Sequence, residues 1–439
     1  MRILILGSGG REHALAWRLQ RDPQVSAVLC APGNPGLAGH VPTAAVTPTR
    51  PDEVLALIEA HGIDLTVVGP EAPLAAGLVD RCLEAGHPVF GPTAAAARLE
   101  TSKAFAKAFM ERHHVPTARH VTCHTADQAL EVIRSGRLGP SVVVKADGLA
   151  AGKGVVVAPD QATAEAAVHA AMVDAAFGDA GRCVVLEECL SGPEVSCFVV
   201  ADGGTFRWLL TAQDHKRIYD HDEGPNTGGM GAYCPAPFVD DKLLAEIEAR
   251  ILVPTVHAMR RAKVPFQGVL FGGLMLTAQG PKVLEFNARF GDPECEALMA
   301  RLDSSLLELL DATADRRLDE VEPPRWRAGA SVTVVMAAEG YPGAVEKGRP
   351  IRGLEAAAGV EGVHVFHAAT QSTAAGIVTD GGRVLAVTAT APTLARAKLQ
   401  AYTGVKEIRW PGAWCRKDIA DKGLHREREL AAVAVEEPA

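Results

Sequence analysis

Several residue classes that define other kinds of protein are scarce or missing from this sequence. Its nine cysteines are scattered and form no C-x-x-C pair, which argues against a disulfide framework or a cysteine zinc site and indicates reduced thiols. No stretch approaches the roughly 18 consecutive apolar residues of a membrane span. The N-terminal residues also lack an apolar signal segment with a small-residue cleavage site. We therefore expect a cytoplasmic protein without a membrane partner.

Basic residues are outnumbered, because the chain has 44 Lys and Arg against 53 Asp and Glu and a formal net charge of −9. A mildly acidic protein is a poor candidate for binding nucleic acid, although a locally basic cleft can still bind a small anion. With 48% hydrophobic and 22% charged residues, the composition is that of globular domains. The length of 439 residues indicates two to four of them, at roughly 100–200 residues each.

Asparagine is rare, since it occurs only at Asn34, Asn226 and Asn287. In a sequence that avoids a residue type, a retained copy is more often kept for a specific task. Two of these three residues lie in the motifs described below.

The first hundred residues alternate strand and helix signals. Apolar runs at 2–6, 25–29, 65–68 and 88–90 are closed by Gly or Pro, and helical patterns, such as the one at 73–85, lie between them. This βαβ alternation predicts a doubly wound parallel sheet with helices on both faces. Further along, strand patterns at 141–145 and 154–158 flank a Gly-rich turn, and Asp380-Gly381-Gly382 predicts a hairpin turn.

A glycine-rich turn, Gly7-Ser8-Gly9-Gly10-Arg11-Glu12, follows the first strand and opens a helix. Main-chain N–H groups at a helix start favour an anion, and glycine allows its close approach. The turn departs from the dinucleotide fingerprint G-x-G-x-x-G because Glu occupies position 12, and the second strand ends without an acid for a ribose hydroxyl. The motif therefore favours a phosphate site over an NAD site. Taken alone, a tight turn without a ligand explains it equally well.

The segment from Lys145 to Gly154, KADGLAAGKG, joins two predicted strands. Three residues rather than four separate Gly148 from Gly152, and a strand–turn–strand context differs from that of a Walker A loop. A hairpin carrying Lys145 and Lys153 can still close over a triphosphate through N–H groups and point charges. The alternative is a flexible hairpin with solvated lysines.

Two further segments have a polar character. Glu187, Glu188 and Glu194 follow an apolar strand, where main-chain groups could bind an adenine edge and an acid could hold ribose hydroxyls; solvated acids before a turn are the alternative. The segment 213–235 is long, polar and rich in Gly. Because long loops in compact domains are generally functional or disordered, we predict that it covers a substrate.

The segment 283–294, VLEFNARFGDPE, carries the sharpest signal. It begins as a strand, so Glu285, Asn287 and Arg289 share one face at a period of two. An acid, an amide and a guanidinium side by side suit Mg²⁺ and an anionic oxygen, since Mg²⁺ is held by one or two protein oxygens plus substrate phosphates. The alternative is a polar face turned to solvent.

In this order, the motifs resemble the ATP-grasp superfamily and, more narrowly, the phosphoribosylamine–glycine ligase (glycinamide ribonucleotide synthetase) family. The resemblance runs from about residue 1 to 425. The matching stretches are GSGGREHALAW at 7–17, GPEAPL at 69–74, SKAFAKAFM at 102–110, KADGLAAGKGV at 145–155, QDHKR at 213–217, GPNTGGMGAY at 224–233, EFNARFGDPE at 285–294 and CRKDI at 415–419.

The resemblance implies an ATP-dependent ligase of purine biosynthesis that joins glycine to 5-phosphoribosylamine through glycyl phosphate, with Mg²⁺ or Mn²⁺. It assigns ATP to Lys103, Lys145, Lys153, Glu187, Glu188, Leu190 and Glu194, and the metal to Glu285 and Asn287. It assigns phosphoribosylamine to Gly9, Gly10, Arg11, Glu12 and Glu71. It assigns the transferring group and glycine to Arg289, Asp214, Lys216, Asn226, Thr227, Gly228 and Gly229.

The resemblance also implies a monomer with four structural pieces. We predict an N-terminal domain at 1–100, an ATP-grasp domain at 101–324 with a lid subdomain at 118–189, a β-rich C-terminal domain at 325–425 and a tail at 426–439. Two alternatives stay open: an ATP-grasp enzyme acting on another carboxylate, and a non-catalytic nucleotide-binding module. The presence of both Glu285 and Asn287 disfavours the second.

Overall fold

The computed structural model describes residues 1–149 and 154–436, with side chains up to residue 433. Lys153, predicted to contact ATP, lies outside the described residues. Within the described part of the chain, no helix combines the length and the hydropathy that crossing a membrane requires.

The secondary structure alternates throughout the chain. The strands are β1 Arg2–Gly7, β2 Ala27–Pro32, β3 Leu65–Val68, β4 Val89–Phe90, β5 His120–Cys123, β6 Val142–Ala146, β7 Val155–Ala158, β8 Val184–Glu188, β9 Glu194–Asp202, β10 Phe206–Trp208, β11 Gln213–Asp214, β12 Arg217–Tyr219, β13 Glu223–Asn226, β14 Gly231–Cys234, β15 Gln267–Thr277, β16 Gly280–Asn287, β17 Ala330–Ala338, β18 Val363–His367, β19 Thr370–Thr373, β20 Gly376–Thr379, β21 Arg383–Ala391 and β22 Ala413–Trp414. The helices are α1 Gly10–Leu19, α2 Pro51–His61, α3 Glu71–Ala75, α4 Leu78–Glu84, α5 Ala94–Thr101, α6 Lys103–Arg112, α7 Ala126–Arg134, α8 Gln161–Val168, α9 Asp241–Ile247, α10 Val253–Arg261, α11 Glu294–Arg301, α12 Leu306–Ala314, α13 Leu354–Ala358, α14 Leu394–Glu407 and α15 Asp421–Glu436.

The N-terminal sheet is parallel, with the order β2-β1-β3-β4, as the βαβ pattern predicts. Strand β1 is a continuous apolar run whose residues 3–6 are fully buried, because helices cover both faces of the sheet. The helix predicted at 73–85 is broken into α3 and α4. Gly77 lies between them with φ of 78°, a conformation that favours glycine and ends the first helix.

A second sheet, with the order β5-β8-β6-β7, is antiparallel and has its own core. The side chains of Thr125 and Asp160 accept hydrogen bonds from main-chain N–H groups and so begin α7 and α8. Strands β6 and β7 form the predicted hairpin, with Lys145 paired to Val155. This sheet therefore presents Lys145 at the end of a hairpin arm.

The third sheet, β10-β9-β15-β16, is antiparallel. Side chains of β9 alternate between two cores: Val195 and Val199 join one, whereas Phe198 and Val200 join the other. A strand buried on both faces gives a rigid support for its neighbours. Strand β16 forms one edge of this sheet and ends at Asn287.

The C-terminal sheet has the order β11-β14-β17-β21-β18, and β22 pairs with β17. The segment 213–235, predicted as a loop, contributes β11 and β14 to this sheet and forms the two-stranded β12–β13 ribbon. The hairpin turn predicted at 380–382 is wrong, because β20 pairs with β19 and β21 pairs with β17 and β18. Helix α15 covers residues that were predicted as a tail.

Candidate active site

One cleft of about 660 Å³ gathers most of the residues that the sequence nominates. It is lined by Arg11, Glu71, Lys103, Lys145, Glu187, Glu188, Leu190, Glu194, Asp214, Lys216, Asn226, Thr227, Gly228, Glu285, Asn287 and Arg289. The predicted residues Gly9, Gly10, Glu12 and Gly229 are not among the residues that line it. The cleft is built from the starts of α1, α3 and α6, strands β6 and β7, the end of β16 and residues 224–231, which we call the Gly-rich segment.

The lysine of the hairpin is held by a buried carboxylate. Glu187 is 1% exposed, and its two oxygens lie 2.8 Å from Lys145 Nζ and 2.8 Å from Lys107 Nζ. Burial raises the pKa of Glu187, but the two ammonium groups outweigh this effect and lower the pKa below its ordinary value. Burial, followed by the charge of Lys145, lowers the pKa of Lys107 to about 8. Because the carboxylate of Glu187 is occupied, only its main chain remains for an adenine base.

The other strand-exit acids are also paired. Glu188 accepts hydrogen bonds from the main-chain N–H of Arg119 at 2.9 Å and from its Nε at 2.6 Å. Glu194 lies 3.0 Å from Lys216 Nζ, which is 4.0 Å from Glu285. Burial lowers the pKa of Lys216, but these two carboxylates outweigh this effect and raise the pKa above its ordinary value. Lys216 therefore remains a cation.

The end of β16 presents two oxygen donors to the cleft. Burial raises the pKa of Glu285, but the cations Lys216, Lys145 and Lys103 outweigh this effect and lower the pKa to about 2. The amide oxygen of Asn287 accepts a hydrogen bond from Arg289 at 3.3 Å. An ionised carboxylate beside an amide oxygen fits a hard divalent cation whose remaining ligands are phosphate and water oxygens. Within residues 1–149 and 154–436, no group of three or more His, Cys, Asp or Glu side chains forms a metal site alone.

The guanidinium of Arg289 is fixed on two sides. It lies 3.3 Å from Glu71 and 3.0 Å from Glu100, and it donates to the carbonyl of Phe290 at 3.1 Å. Although burial raises it, Arg289 and Arg11 lower the pKa of Glu71. An arginine held in this way keeps its orientation when an anion enters, which reduces the entropic cost of binding.

The glycine-rich turn before α1 encloses the carboxylate of Glu12. One oxygen accepts from the main-chain N–H of Gly9 at 2.7 Å, and the other accepts from Arg11 Nε at 2.5 Å. A Cβ atom at Gly69 would lie 2.1 Å from this carboxylate, and one at Gly7 would lie 2.5 Å from it. Glu12 therefore shapes the turn, whereas Arg11 faces the cleft.

Two carboxyl groups meet beside the Gly-rich segment. Burial, followed by the charge of Glu294, raises the pKa of Asp214 well above its ordinary value. Burial likewise raises the pKa of Glu294, whose Oε1 accepts from Ser196 Oγ at 3.0 Å. Such a pair holds a proton or another cation, because two adjacent carboxylates repel each other. Thr227 ties the segment to this place, since its hydroxyl donates to the carbonyl of Lys216 at 2.8 Å.

Sequence reasoning missed several residues that line or support the cleft. Asp292 and Glu294 lie within the EFNARFGDPE motif at 285–294 but were not assigned a role. Arg383 and Tyr341 come from the C-terminal region and belong to no motif. Arg383 donates to the carbonyl oxygens of Gly228 and Asp292, and the tyrosine hydroxyl accepts from Gly228 N at 3.0 Å. The sequence contained no local signal for these two residues. Arg383 begins β21 and Tyr341 follows β17, so the order of the C-terminal sheet brings both to the cleft.

A second cavity of about 850 Å³ adjoins the cleft. Both are lined by Glu194, Asp214, Lys216, Arg217 and Asn226. The outer wall of the second cavity includes residues of α15, so this helix closes one side of the space behind the Gly-rich segment.

Comparison with known proteins gives a consistent result. Family models of phosphoribosylglycinamide synthetase match the chain as the N domain at 1–100, the ATP-grasp (A) domain at 101–295 and the C domain at 331–422. A phosphoribosylamine–glycine ligase of Rhodopirellula baltica is 50% identical over 426 residues, which are 96% of this chain and 98% of the relative.

Solved structures agree with this match. The crystal structure of phosphoribosylamine–glycine ligase from Thermotoga maritima has a TM-score of 0.84 and 32% identity, covering 96% of this chain and 100% of the other. A biotin carboxylase from Campylobacter jejuni, solved as a β,γ-ATP complex, has a TM-score of 0.68 at 16% identity over 94% and 92% of the two chains. The second likeness is one of fold.

The fold and the lysine-lined cleft define an ATP-grasp enzyme, which uses ATP and a divalent cation. The chain belongs to the phosphoribosylglycinamide synthetase family, and it is a ligase that forms a carbon–nitrogen bond. The family, fold class and enzyme class predicted from the sequence are thus confirmed. The domain limits and the roles of single residues stay predictions.

Proposed function

We propose that this cleft joins glycine to 5-phosphoribosylamine at the expense of ATP, and yields glycinamide ribonucleotide, ADP and phosphate. The observation that carries the proposal is the convergence of Lys145, Glu285, Arg289 and Arg11 on one cleft. This convergence supports an arrangement in which cations for a nucleoside triphosphate lie beside a separate anion-binding turn. Phosphoryl transfer depends on such alignment and charge neutralisation more than on a protein nucleophile.

Lys103 and Lys145 would bind the phosphates of ATP, and Glu187 would keep Lys145 in position. The main chain from Glu187 to Leu190 would contact adenine, and Glu194 would contact the ribose. Glu285 and Asn287 would hold Mg²⁺ or Mn²⁺. When bound, this cation neutralises charge on the transferring phosphoryl group.

Glycine would bind with its ammonium group at the Asp214–Glu294 pair. A cation there would relieve the repulsion between the two carboxyl groups, and this supports the placement. Its carboxylate would point towards Lys216 and Arg289. A glycine oxygen then attacks the γ-phosphorus, the bond to the bridging oxygen of ADP breaks, and glycyl phosphate forms.

Phosphoribosylamine would bind with its phosphate at the turn before α1 and against Arg11. Its amino group attacks the carbonyl carbon of glycyl phosphate, the carbon–oxygen bond breaks, and phosphate leaves with the proton from nitrogen. Arg289, held by Glu71 and Glu100, would stabilise the developing negative charge. Acyl phosphates hydrolyse readily, so closure of the Lys145 hairpin would exclude water.

We also propose that the enzyme acts as a cytoplasmic monomer that binds neither nucleic acid nor membranes. Described residues of one chain line the cleft, all nine cysteines are unpaired and the net charge is −9. Light scattering should give the mass of one chain, 46.1 kDa. A mass of two chains at assay concentration would contradict this part of the proposal.

ADP release tests the reaction itself. We expect release only when glycine and phosphoribosylamine, formed in situ from ribose 5-phosphate and ammonia, are both present. Bicarbonate and formate serve as alternative carboxylates for the other ATP-grasp reactions. ADP release with either of them, in the absence of glycine, would refute the assigned substrate.

A further inference from the structure

Of the three asparagines, Asn34 has no assigned role, yet its side chain makes several hydrogen bonds. Asn34 is 6% exposed, and its Nδ2 donates to the carbonyl oxygens of Ser8 at 3.0 Å, Gly9 at 3.4 Å and His367 at 2.8 Å. Its Oδ1 accepts from the main-chain N–H of Gly36 at 3.0 Å. One side chain therefore connects the turn before α1, the end of β2 and the end of β18.

These contacts set the direction of two peptide units. In a trans peptide the C=O and the following N–H point in opposite directions. Because Asn34 binds the carbonyls of Ser8 and Gly9, it turns the N–H groups of Gly9 and Gly10 away from itself. The N–H of Gly9 donates to the Glu12 carboxylate at 2.7 Å. The N–H of Gly10 begins α1, the helix start at which we place the phosphate.

The contact with β18 is itself supported. The main-chain N–H of His367 donates to His13 Nδ1 at 3.0 Å, and burial lowers the pKa of His13 to about 3. The imidazole is therefore neutral at neutral pH and keeps an acceptor nitrogen. A Cβ at Gly36 would lie 2.4 Å from the His367 ring and 2.6 Å from that of His13, so the junction is closely packed.

We propose that Asn34 is a positioning residue that fixes the glycine-rich turn in the conformation that binds the phosphoribosyl group, through an amide shared with the C-terminal sheet. The inference rests on the proposed function, because that function places the phosphate at this turn. Three carbonyl oxygens face the amide nitrogen, so the position requires a donor. A carboxylate of the same shape would repel them.

The test compares Asn34→Asp with Gln267→Glu. Gln267 is a matched control, since it is 7% exposed and its amide nitrogen donates to the carbonyls of Thr313 at 2.7 Å and Ala314 at 2.8 Å, far along the chain from the turn. Both variants lose a buried amide donor. Only Asn34→Asp should change the phosphoribosyl site.

We expect Asn34→Asp to raise the KM for phosphoribosylamine and the Kd for ribose 5-phosphate about tenfold, with kcat and the KM values for ATP and glycine within twofold. Gln267→Glu should lower thermal stability without these changes. If Asn34→Asp does not fold, Asn34→Ser keeps an acceptor for Gly36 and one donor, and should show a smaller rise in the same two constants.

A folded Asn34 variant with wild-type affinity for ribose 5-phosphate would overturn the positioning role. Equal loss for ATP, glycine and ribose 5-phosphate would also overturn it, since that result indicates a general structural defect. A wild-type enzyme that releases ADP as proposed but does not bind ribose 5-phosphate would remove the phosphate from this turn. Absence of that ADP release would instead contradict the proposed function, a separate result.

Discussion

At the scale of single residues, the cleft depends on charges that compensate one another inside the protein. Glu187 sits between two lysines, and Glu285 sits among several cations. Removing one member leaves its partners uncompensated, which costs more than the pair contributes as a whole. Substitutions at these residues should therefore affect catalysis through charge, and conservative shape alone should not preserve activity.

Lys145→Ala and Glu285→Ala should each lower kcat for ADP formation roughly 100-fold or more, because each removes a charge that aligns the transferring phosphoryl group. Steady-state kinetics with all three substrates measures the effect, and circular dichroism monitors the fold. Lys282→Ala, on the same strand as Glu285 and 3.8 Å from Glu188, is the control and should stay within twofold. Near-normal turnover in both test variants would refute the phosphate and metal assignments.

The buried carboxyl group of Glu296 should make the free energy of unfolding depend on pH. Glu296 is fully buried, and neither carboxyl oxygen has a hydrogen-bond partner among the residues that the structure describes. Burial, followed by the charge of Asp292, raises its pKa well above 4.5. The folded protein thus keeps a proton that the unfolded chain releases above pH 4.5. The free energy of unfolding should fall as pH rises from that value to the raised pKa, by up to about 1.4 kcal/mol per pH unit.

Glu296→Gln removes this dependence, since an amide does not titrate. The variant should therefore gain free energy of unfolding over the wild type progressively between pH 5 and 8, as measured by urea denaturation. Parallel curves for the two proteins across this range would show that Glu296 is already ionised in the folded state.

At the scale of elements, local patterns predicted some elements correctly, whereas pairings between segments far apart in the chain were not predicted. The β6–β7 hairpin and the parallel N-terminal sheet follow from local periodicity and Gly-rich turns. The predicted loop at 213–235 instead supplies β11 and β14, because its partners lie about a hundred residues later in β17. The Asp380-Gly381-Gly382 turn has hairpin chemistry but joins strands of two different sheets.

The same limit applies to the candidate site. Glu285 and Asn287 share a strand, so their spacing is readable from sequence. Arg383 reaches the Gly-rich segment only because the sheet order places β21 beside it, and no local pattern contains that information. Glu12 was placed in the substrate set from its motif, whereas its carboxylate is enclosed by glycines.

The turn around Glu12 gives a prediction at this scale. A Cβ at Gly69 would lie 2.1 Å from the Glu12 carboxylate, so Gly69→Ala must displace it and the α1 start. We expect a loss of about 1–3 kcal/mol in the free energy of unfolding and a raised KM for phosphoribosylamine. Gly359→Ala, whose Cβ would meet only ordinary contacts at 3.4 Å, should leave both unchanged. If the two variants have the same free energy of unfolding and the same KM for phosphoribosylamine, the role given to the enclosed Glu12 carboxylate is contradicted.

At the scale of the whole molecule, the C-terminal sheet takes part in the cleft. Arg383 of β21 donates to the main-chain carbonyl oxygens of Gly228 and Asp292. Arg383→Ala should raise the KM for glycine about tenfold, because the Gly-rich segment loses the hydrogen bonds from Arg383 to the carbonyl oxygens of Gly228 and Gly229. Arg349→Ala breaks an exposed pair with Glu346 in the same region and should have no effect. A glycine KM equal in both variants would exclude Arg383 from the site.

The interleaving of β14 with β17 has a consequence for how genes of this family can be cut and rejoined. A fragment that begins at residue 325 would carry β17 without its neighbour, and an unprotected strand edge promotes self-association. A chimera that exchanges this C-terminal module must therefore also transplant residues 213–234. The structural module that must be exchanged is therefore discontinuous in the chain although it is continuous in space.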